Sequence, residues 1–457
     1  MNEQTFDIVI LGGGSGGYAC ALRASQLGLK VALIEKDKVG GTCLHRGCIP
    51  TKALLHAAEV ADVTRESENF GVFAELQGID INKVNAYRDS VVGRLYKGLQ
   101  GLIKSKDVTY IEGTGRLVFS NTVEVNGVKY VGKNIVLATG SYSRSLPGLE
   151  IGGRIMTSDQ ALQMDWIPRS VLVLGGGVIG VEFASVWKSF GSDVTVIEAL
   201  DRLVPAEEES ISKALERAFK KRGIKAKTGV KFQSASQSSE GVSVTLENGE
   251  VLEADLLLVA VGRGANGQGH GFEDVGVNVD RGWVTTDDRL RTNVAGVYAV
   301  GDLVPGLQLA HRGFQHGIFV AEDIAGLNPR VIDEKAIPRV TYCEPEIASV
   351  GLNESAARAH FGDNVEVYEY NLGGNGKSQI LGTSGFIKLI RQKNGPIIGV
   401  HMIGSRVGEQ IGEAQLIYAW EAMPEDVAPL IHAHPTQNEA LGEAHLALAG
   451  KPLHAHA

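Results

Sequence analysis

The chain of 457 residues lacks several features that would mark a membrane, secreted or nucleic-acid-binding protein. No apolar run reaches the roughly 18 residues that span a bilayer, so we expect no membrane partner. Only four cysteines are present, and residues 1–5 contain no Lys or Arg, so we expect no signal peptide and a cytoplasmic location. The formal charge of −9 gives no support for a nucleic-acid partner. Glycine is abundant, with 58 residues, which suits tight turns and close approaches of backbone to ligands.

The sequence opens with a pattern typical of a dinucleotide-binding βαβ unit. Residues 6–11 (FDIVIL) form an apolar run that predicts a buried parallel strand. Gly12, Gly14 and Gly17 follow with GxGxxG spacing, which lets backbone N–H groups at a helix N-terminus contact a pyrophosphate. Glu35 ends the second predicted strand, where its carboxylate can accept hydrogen bonds from ribose hydroxyls. The context favours a dinucleotide site over a chance glycine turn.

The same pattern recurs later in the chain at a constant offset. Gly175, Gly177 and Gly180 repeat the glycine spacing after a predicted strand at residues 170–174, and Glu198 ends the next strand. Two such units suggest two cofactors, one relaying electrons to the other. Because a carboxylate at Glu198 would repel a 2′-phosphate, the sequence favours NAD(H) over NADP(H).

Two cysteines, Cys43 and Cys48, lie in the segment 40–52 (GGTCLHRGCIPTK), just after the first unit. Without an export signal, such a pair is more typical of catalysis or metal binding than of a structural disulfide. Thiols at i and i+5 of a regular helix point apart, so a bond between them requires an irregular segment, which Gly47 permits. Pro50 predicts the first position of the next helix. We interpret the pair as catalytic redox cysteines; the alternatives are inert thiols or half a zinc site.

Glu182 stands near the start of the helix of the second unit, where the first unit has Ala19. A carboxylate at that place usually complements the helix dipole, but beside a bound pyrophosphate it would be repelled. A specific cationic partner would remove this conflict, and Lys52 is a candidate.

The rest of the chain predicts further strands and a third region. Residues 134–140, 254–263 and 296–302 have the pattern of buried strands. The first two have a glycine at the strand tip, and the third ends in the acid Asp302. After Pro338 the pattern becomes that of an antiparallel sheet, with helices at about 407–422 and 437–449. We expect this region to pair with another subunit.

A histidine beside a proline is the last informative feature. His434 precedes a predicted helix, and Glu439 follows five residues later, where it could orient the imidazole. A lone histidine is usually structural, so on the residues alone a structural role and an acid–base role are equally open.

The motifs GGTCLHRGCIPTK, GGGVIGVE, YAVGD and HAHPTQNE resemble those of the flavoprotein pyridine nucleotide-disulfide oxidoreductases, over essentially the whole chain. Within that family the chain most resembles the enzymes that oxidise dihydrolipoyl groups. The resemblance implies that Cys43 exchanges with substrate and that Cys48 faces the flavin. It also implies that Lys52 pairs with Glu182 near the flavin.

The resemblance further implies that His434, oriented by Glu439, takes the thiol proton, and that this histidine comes from the partner subunit of a homodimer. Lipoyl domains of 2-oxo acid dehydrogenase or glycine cleavage complexes are the implied protein partners. A related disulfide reductase of the glutathione or mycothiol type stays open as an alternative. A non-catalytic flavoprotein subunit is a second alternative. The chain departs from the usual family pattern at His45-Arg46, often Asn-Val, and at Asn438, commonly a serine.

The implied cofactors are FAD on the first unit and NAD on the second, with no metal. The expected FAD contacts are Gly12, Gly14, Gly17, Glu35, Thr42, Lys52, Gly115, Thr139, Gly140, Ser141, Asp302, Gln308, Leu309, Ala310 and His311. The expected NAD contacts are Gly175, Gly177, Gly180, Glu182, Glu198, Val230 and Gly262.

The expected fold class is α/β, with two Rossmann-like dinucleotide-binding domains and a C-terminal α/β dimerisation domain that contains an antiparallel sheet. The expected boundaries are 1–145 for the first part of the FAD-binding domain, 146–268 for the NAD-binding domain, 269–336 for the second, central part of the FAD-binding domain, and 337–457 for the interface domain.

Overall fold

The computed structural model describes residues 3–454. The first two residues of the segment 1–5, for which we expect no signal peptide, lie outside the described residues. The first region is built on a seven-stranded sheet whose central strand, Glu3–Leu11, is parallel to Val31–Glu35 and to Val128–Leu137. The side chains of residues 8–10 are fully buried, as expected for a parallel sheet covered on both faces. The other strands of this sheet are Thr109–Glu112, Gly115–Phe119, Thr122–Val125 and Val297–Ala299. The helices of this region are Ser15–Gln26, Gly41–Arg46, Cys48–Glu66, Ile81–Ser105 and Ala310–Ile324.

The second region repeats this architecture with a five-stranded parallel sheet. Its strands are Ile155–Thr157, Ser170–Leu174, Asp193–Ile197, Lys225–Lys227 and Leu256–Val259. Its helices are Ser158–Ala161, Val178–Ser189 and Glu209–Lys221. A three-stranded antiparallel sheet is formed by Phe232–Gln237, Val242–Leu246 and Val251–Ala254. Two small antiparallel pairs join Ser141–Ser143 to Arg263–Ala265 and Val279–Asp280 to Trp283–Val284. The first of these pairs lies where the first and second regions connect.

The third region is a five-stranded antiparallel sheet with helices. In spatial order its strands are Arg339–Thr341, Glu346–Gly351, Ile397–Gly404, Phe386–Gln392 and Val365–Asn371. Its helices are Glu354–Phe361, Gly376–Leu381, Val407–Ala419, Pro424–Val427 and Glu439–Leu448. Short 3-10 turns occur at Ser67–Phe70, Glu273–Val275, Gly301–Leu303, Glu334–Ala336 and Leu372–Gly374.

The predicted fold class is confirmed: two α/β regions with parallel central strands precede a region with an antiparallel sheet, and in the first sheet the strands at 115–119 and 122–125 are added in antiparallel pairs. The exact domain boundaries stay a prediction. The helix expected at about 407–422 ends earlier, at Ala419, because Glu421 adopts a left-handed backbone conformation (φ 53°) that a helix cannot continue through. The 25-residue helix Ile81–Ser105 was not predicted, although Asp80 caps it with bonds to two backbone N–H groups.

Candidate active site

The two glycine turns have nearly the same geometry. Gly12 and Gly175 have φ angles of 111° and 109°, which favour glycine. A Cβ atom on Gly17 would lie 1.8 Å from the carbonyl oxygen of Gly12, and one on Gly180 would lie 1.9 Å from that of Gly175. Both helices therefore pack directly on the strands before them, and their N-termini can approach a pyrophosphate.

The two acids at the strand ends are oriented alike. Glu35 accepts hydrogen bonds from the N–H groups of Gly13 (2.7 Å) and Asp37 (2.8 Å). Glu198 accepts the equivalent pair in the second unit, also at 2.7 and 2.8 Å. Each carboxylate keeps lone pairs that can accept ribose hydroxyls. Val230 lies next to Glu198, since its N–H donates to the backbone carbonyl oxygen of Glu198 (3.2 Å).

The cysteine segment is irregular, as the sequence predicts. The helix Gly41–Arg46 ends at Gly47, whose backbone (φ −143°, ψ −111°) is not helical, and the helix Cys48–Glu66 begins at the next residue. The break places the thiols of Cys43 and Cys48 close enough to affect each other's acidity, and both are free thiols. The prediction that Pro50 starts the helix is wrong by two positions. Proline is tolerated there because the first turn of a helix leaves its N–H groups without intrahelical partners.

The two thiols differ in acidity. The hydrogen bond with the Cys43 thiol is the largest influence that lowers the pKa of Cys48, and the nearby Lys52 ammonium lowers it further. The same hydrogen bond, together with burial, raises the pKa of Cys43. Cys48 is therefore the more acidic of the two thiols, and Cys43 is the less acidic one.

The ion pair expected between Lys52 and Glu182 is present. The Lys52 Nζ lies 2.9 and 2.8 Å from the two carboxylate oxygens of Glu182. The Glu182 side chain is 3% exposed and also accepts the N–H of Tyr342 at 2.9 Å. Burial opposes the charge on Lys52, but Glu182 and Cys48 outweigh it and raise the pKa of the lysine. The cation is therefore held beside the redox thiols at neutral pH.

A cavity of about 540 Å³ lies against the first glycine turn and the cysteine segment. It is lined by residues of all three regions, including both sulfur positions and the Lys52–Glu182 pair. The predicted site residues that line it are Gly14, Thr42, Cys43, Cys48, Lys52, Gly140, Ser141, Glu182, Asp302, Gln308, Leu309, Ala310 and His311.

Other predicted contacts lie outside this lining. Gly12, Gly17 and Glu35 form the turn behind it, and Thr139 donates its hydroxyl to the carbonyl of Asn266 (2.7 Å). Gly115 lies in the core, where a Cβ atom would be 2.6 Å from the side chain of Leu11. Gly175, Gly177, Gly180, Glu198, Val230 and Gly262 belong to the turn and strand ends of the second unit. Their roles stay predictions.

His434 is also outside the cavity lining of its own chain. Its Nδ1 lies 2.8 Å from the Glu439 carboxylate, and its side chain is 77% exposed. Glu439 also accepts the N–H of Thr436 at 2.7 Å. The imidazole is thus held through Nδ1, and most of its side chain is exposed.

Sequence reasoning missed several cavity residues. Arg263 donates from Nε to the hydroxyl of Ser141 (2.8 Å), and Ser141 donates to Asp302 (2.6 Å). Tyr342 places its ring 4.8 Å from the Lys52 ammonium. The only local signal for Arg263 was a charge at the end of a predicted strand, and Tyr342 gave none.

These residues fit the two cofactors that the sequence implies. Each parallel unit offers a glycine cradle that a Cβ atom would fill, with an oriented carboxylate at the ribose position. The cavity adds a thiol pair and a buried ion pair on one wall. Among residues 3–454, no group of three or more His, Cys, Asp or Glu residues could hold a metal ion.

Comparison with known proteins agrees with this architecture. Residues 6–317 match the family model for pyridine nucleotide-disulphide oxidoreductases, and residues 337–445 match the model for the dimerisation domain of that family. The chain therefore belongs to the pyridine nucleotide-disulphide oxidoreductase family.

Particular relatives are similar over nine tenths or more of their length. The chain is 43% identical to a dihydrolipoyl dehydrogenase of Bacillus subtilis, covering 98% of this chain and 99% of the relative. It is 39% identical to the mitochondrial dihydrolipoyl dehydrogenase 1 of Arabidopsis thaliana, with coverages of 98% and 91%. The crystal structure of LpdA from Mycobacterium tuberculosis superposes with a TM-score of 0.90 at 25% identity, covering 97% of this chain and 99% of that one. No helix in the described part of the chain has the length and apolarity needed to cross a membrane.

Proposed function

We propose that this protein oxidises the dihydrolipoyl group of a carrier to the lipoyl group and reduces NAD+. Its cofactors are FAD on the first unit and NAD on the second. The observation that carries the proposal is the contact between Cys43 and Cys48 in the wall of a cavity that the first glycine turn also lines. The opposite pKa shifts of the two thiols give them different tasks. Relatives named dihydrolipoyl dehydrogenase, at 43% identity over the full chain, support the same activity.

The reaction begins from the oxidised pair, in which Cys43 and Cys48 form a disulfide. The partner subunit's His434, oriented by its own Glu439, takes a proton from one substrate thiol. The resulting thiolate attacks the Cys43 sulfur, and the bond to Cys48 breaks. Cys48 leaves as a thiolate, for which its lowered pKa suits it.

The second substrate thiol completes the exchange. After losing its proton it attacks the substrate sulfur bound to Cys43, so that the lipoyl ring closes and Cys43 leaves and takes up a proton. The substrate has lost two electrons and the cysteine pair has gained them. A bound FAD would supply the redox chemistry by which this electron pair can reach NAD+. Lys52, held by Glu182, keeps a positive charge beside the Cys48 thiolate throughout.

A homodimer is part of this proposal. The dimerisation-domain match at residues 337–445 supports it, and so does the exposed position of His434 outside the cavity of its own chain. We further propose that the protein partners are lipoyl domains of 2-oxo acid dehydrogenase or glycine cleavage complexes, in the cytoplasm.

The alternative of a glutathione- or mycothiol-type reductase is less well supported. Such an enzyme that used NADPH would have to bind a 2′-phosphate where the buried Glu198 carboxylate lies, 8% exposed. A non-catalytic flavoprotein subunit would have no use for the thiol pair or for the oriented His434.

The test is a steady-state assay of the purified protein with dihydrolipoamide and NAD+, with NADP+ as the control. His434→Gln is expected to lower the rate by about 10²–10⁴-fold, since it removes the base but leaves the cavity intact. Reduction of an artificial acceptor by NADH, which needs no thiol proton transfer, reports whether the cofactors are still in place. Faster turnover of NADPH with glutathione or mycothiol disulfide than of dihydrolipoamide with NAD+ would contradict the proposal.

A further inference from the structure

The loop that carries His434 is held at both ends by one carboxylate from another helix. Glu413 belongs to the helix Val407–Ala419. Its Oε1 lies 2.7 Å from Nε2 of His432, and its Oε2 accepts a hydrogen bond from Nδ2 of Asn438 at 2.6 Å. His432 lies just before His434 in the chain, and Asn438 stands immediately before the helix that begins at Glu439. Glu413 therefore brackets the catalytic loop without touching His434.

The middle of the same loop has its own supports. Glu439 holds the His434 ring at Nδ1 and the N–H of Thr436. Nδ2 of Asn375 donates to the carbonyl of Thr436 at 3.0 Å. With these bonds, the loop is fixed by side chains along its whole length, while the imidazole itself stays open to the outside.

The Glu413 cluster is less exposed than the histidine it brackets. The side chains of His432 and Glu413 are 13% and 27% exposed, against 77% for His434. The hydrogen bond to Glu413 raises the pKa of His432. Burial disfavours the Glu413 carboxylate, but its bonds to His432 and Asn438 outweigh burial and lower its pKa. No room is left behind His432, because a Cβ atom on Gly442 would lie 2.6 Å from its Nδ1.

We propose that Glu413 is a positioning residue for proton transfer by His434, acting through His432 and Asn438. This inference rests on the proposed function. Asn438 supplies an amide donor that reaches the Glu413 carboxylate. Proton transfer requires the imidazole to lie within hydrogen-bonding distance of the substrate thiol, so a loop that shifts by about 1 Å can lose up to about 100-fold in rate.

The decisive variant is Asn438→Asp, which places a second carboxylate where the amide now donates to Glu413 at 2.6 Å. Like charges at that distance repel, so the loop has to move. Asn438 makes no side-chain capping bond to the helix, and aspartate is itself a favoured N-cap residue, so the helix start is not weakened. We expect kcat with dihydrolipoamide to fall by about 10- to 100-fold with KM unchanged.

Rescue separates positioning from general damage. In the double variant Glu413→Gln with Asn438→Asp, the introduced amide can donate to the introduced carboxylate and still accept from Nε2 of His432. We expect this double variant to recover most of the lost rate. A second single variant, His432→Leu, removes the contact at the other end without adding charge and is expected to lower kcat by about 10-fold.

The matched control is Asn353→Asp, another asparagine at a helix start in the same region. Its Oδ1 accepts the N–H of Ala356, a bond that aspartate keeps, so this variant is expected to behave like the wild type. NADH-dependent reduction of ferricyanide and the sedimentation of the dimer are measured for every variant.

Three results would overturn the inference. The first is that Asn438→Asp and His432→Leu both leave kcat unchanged. The second is that the double variant stays as slow as Asn438→Asp. The third is that the ferricyanide activity or the dimer is lost in parallel with dihydrolipoamide oxidation, which would indicate that Glu413 has a structural role. A wild-type protein that does not oxidise dihydrolipoamide would instead refute the proposed function itself.

Discussion

The acidity of the Cys48 thiol should depend on two neighbouring charges with opposite signs. The Lys52 ammonium lowers the pKa of Cys48, and the Glu182 carboxylate raises it. Lys52→Met removes the cation, so the pKa of Cys48 should rise. Glu182→Gln removes the anion but keeps the shape of the side chain, so the pKa should fall. An opposite charge in close contact shifts a pKa by about 1–3 units, and Lys52 is partly exposed, so we expect roughly one unit, or about 1.4 kcal/mol.

A third variant tests the larger influence. The hydrogen bond from Cys43 is the strongest of the effects that lower the pKa of Cys48. Cys43→Ala removes this donor, and the pKa of Cys48 should then rise by more than in Lys52→Met. The expected order of acidity is therefore Glu182→Gln, wild type, Lys52→Met and Cys43→Ala.

The assay is the rate of alkylation of the reduced protein by iodoacetamide as a function of pH, with the modified peptide identified by mass spectrometry. Only the thiolate reacts, so the midpoint of the rate profile reports the pKa. The other cysteines do not interfere near neutral pH. Burial raises the pKa of Cys20 to about 12 and raises that of Cys343 as well.

The control is Lys97→Met, which removes an exposed lysine from the helix Ile81–Ser105. It should leave the Cys48 profile unchanged. The reasoning would be refuted if Lys52→Met and Lys97→Met gave the same midpoint, or if Glu182→Gln moved it upward.

Two further predictions concern stability. Gly180→Ala should abolish the folded second unit, because a Cβ atom would lie 1.9 Å from the carbonyl oxygen of Gly175. Gly98→Ala, in a helix with open space around that position, should stabilise the protein by about 0.5–1 kcal/mol. Circular dichroism and thermal unfolding distinguish the two variants. Asp323→Asn should cost roughly 2–3 kcal/mol at pH 7, since it breaks the buried pair with Arg289 and Arg291, the second of which is half exposed. The two arginines lower the pKa of Asp323 against its burial, so this stabilisation is present above the unfolded pKa of about 3.9 and is lost as pH falls through the folded value. The difference in thermal midpoint between wild type and variant should therefore narrow below about pH 4, and a difference independent of pH would contradict the assignment.

The parts of the fold that were predictable are those with a local backbone requirement. A strand, a glycine turn and a terminal acid are encoded within about 30 residues, so both nucleotide units could be recognised from the sequence. The break at Gly47 followed from the geometry of two thiols five positions apart. The helix Ile81–Ser105 was missed because the surface it buries is narrow and several of its large apolar residues, such as Leu95 and Leu102, are exposed.

Contacts between side chains far apart in the sequence were mostly not predictable. Arg263 and Ser141 meet only because the antiparallel pair Ser141–Ser143 and Arg263–Ala265 forms between two regions. The contacts of Glu413 with His432 and Asn438 were equally unpredictable, since nothing within the helix Val407–Ala419 indicates which loop will lie beside it. Such pairs are set by tertiary packing, which local secondary-structure propensity does not predict.

The pair of Lys52 and Glu182 is the exception, and the reason is electrostatic. The two units are close copies in their glycine geometry, yet the position of Ala19 in the first is Glu182 in the second. A buried carboxylate near a phosphate site costs several kcal/mol unless a partner compensates it, so the residue predicts a cation that the local sequence does not contain. In the structure, Glu182 lies on a helix of the second region, binds Lys52 of the first and accepts the N–H of Tyr342 of the third. One carboxylate therefore joins three regions beside the two sulfurs, and it holds in place the Lys52 cation that lowers the pKa of Cys48.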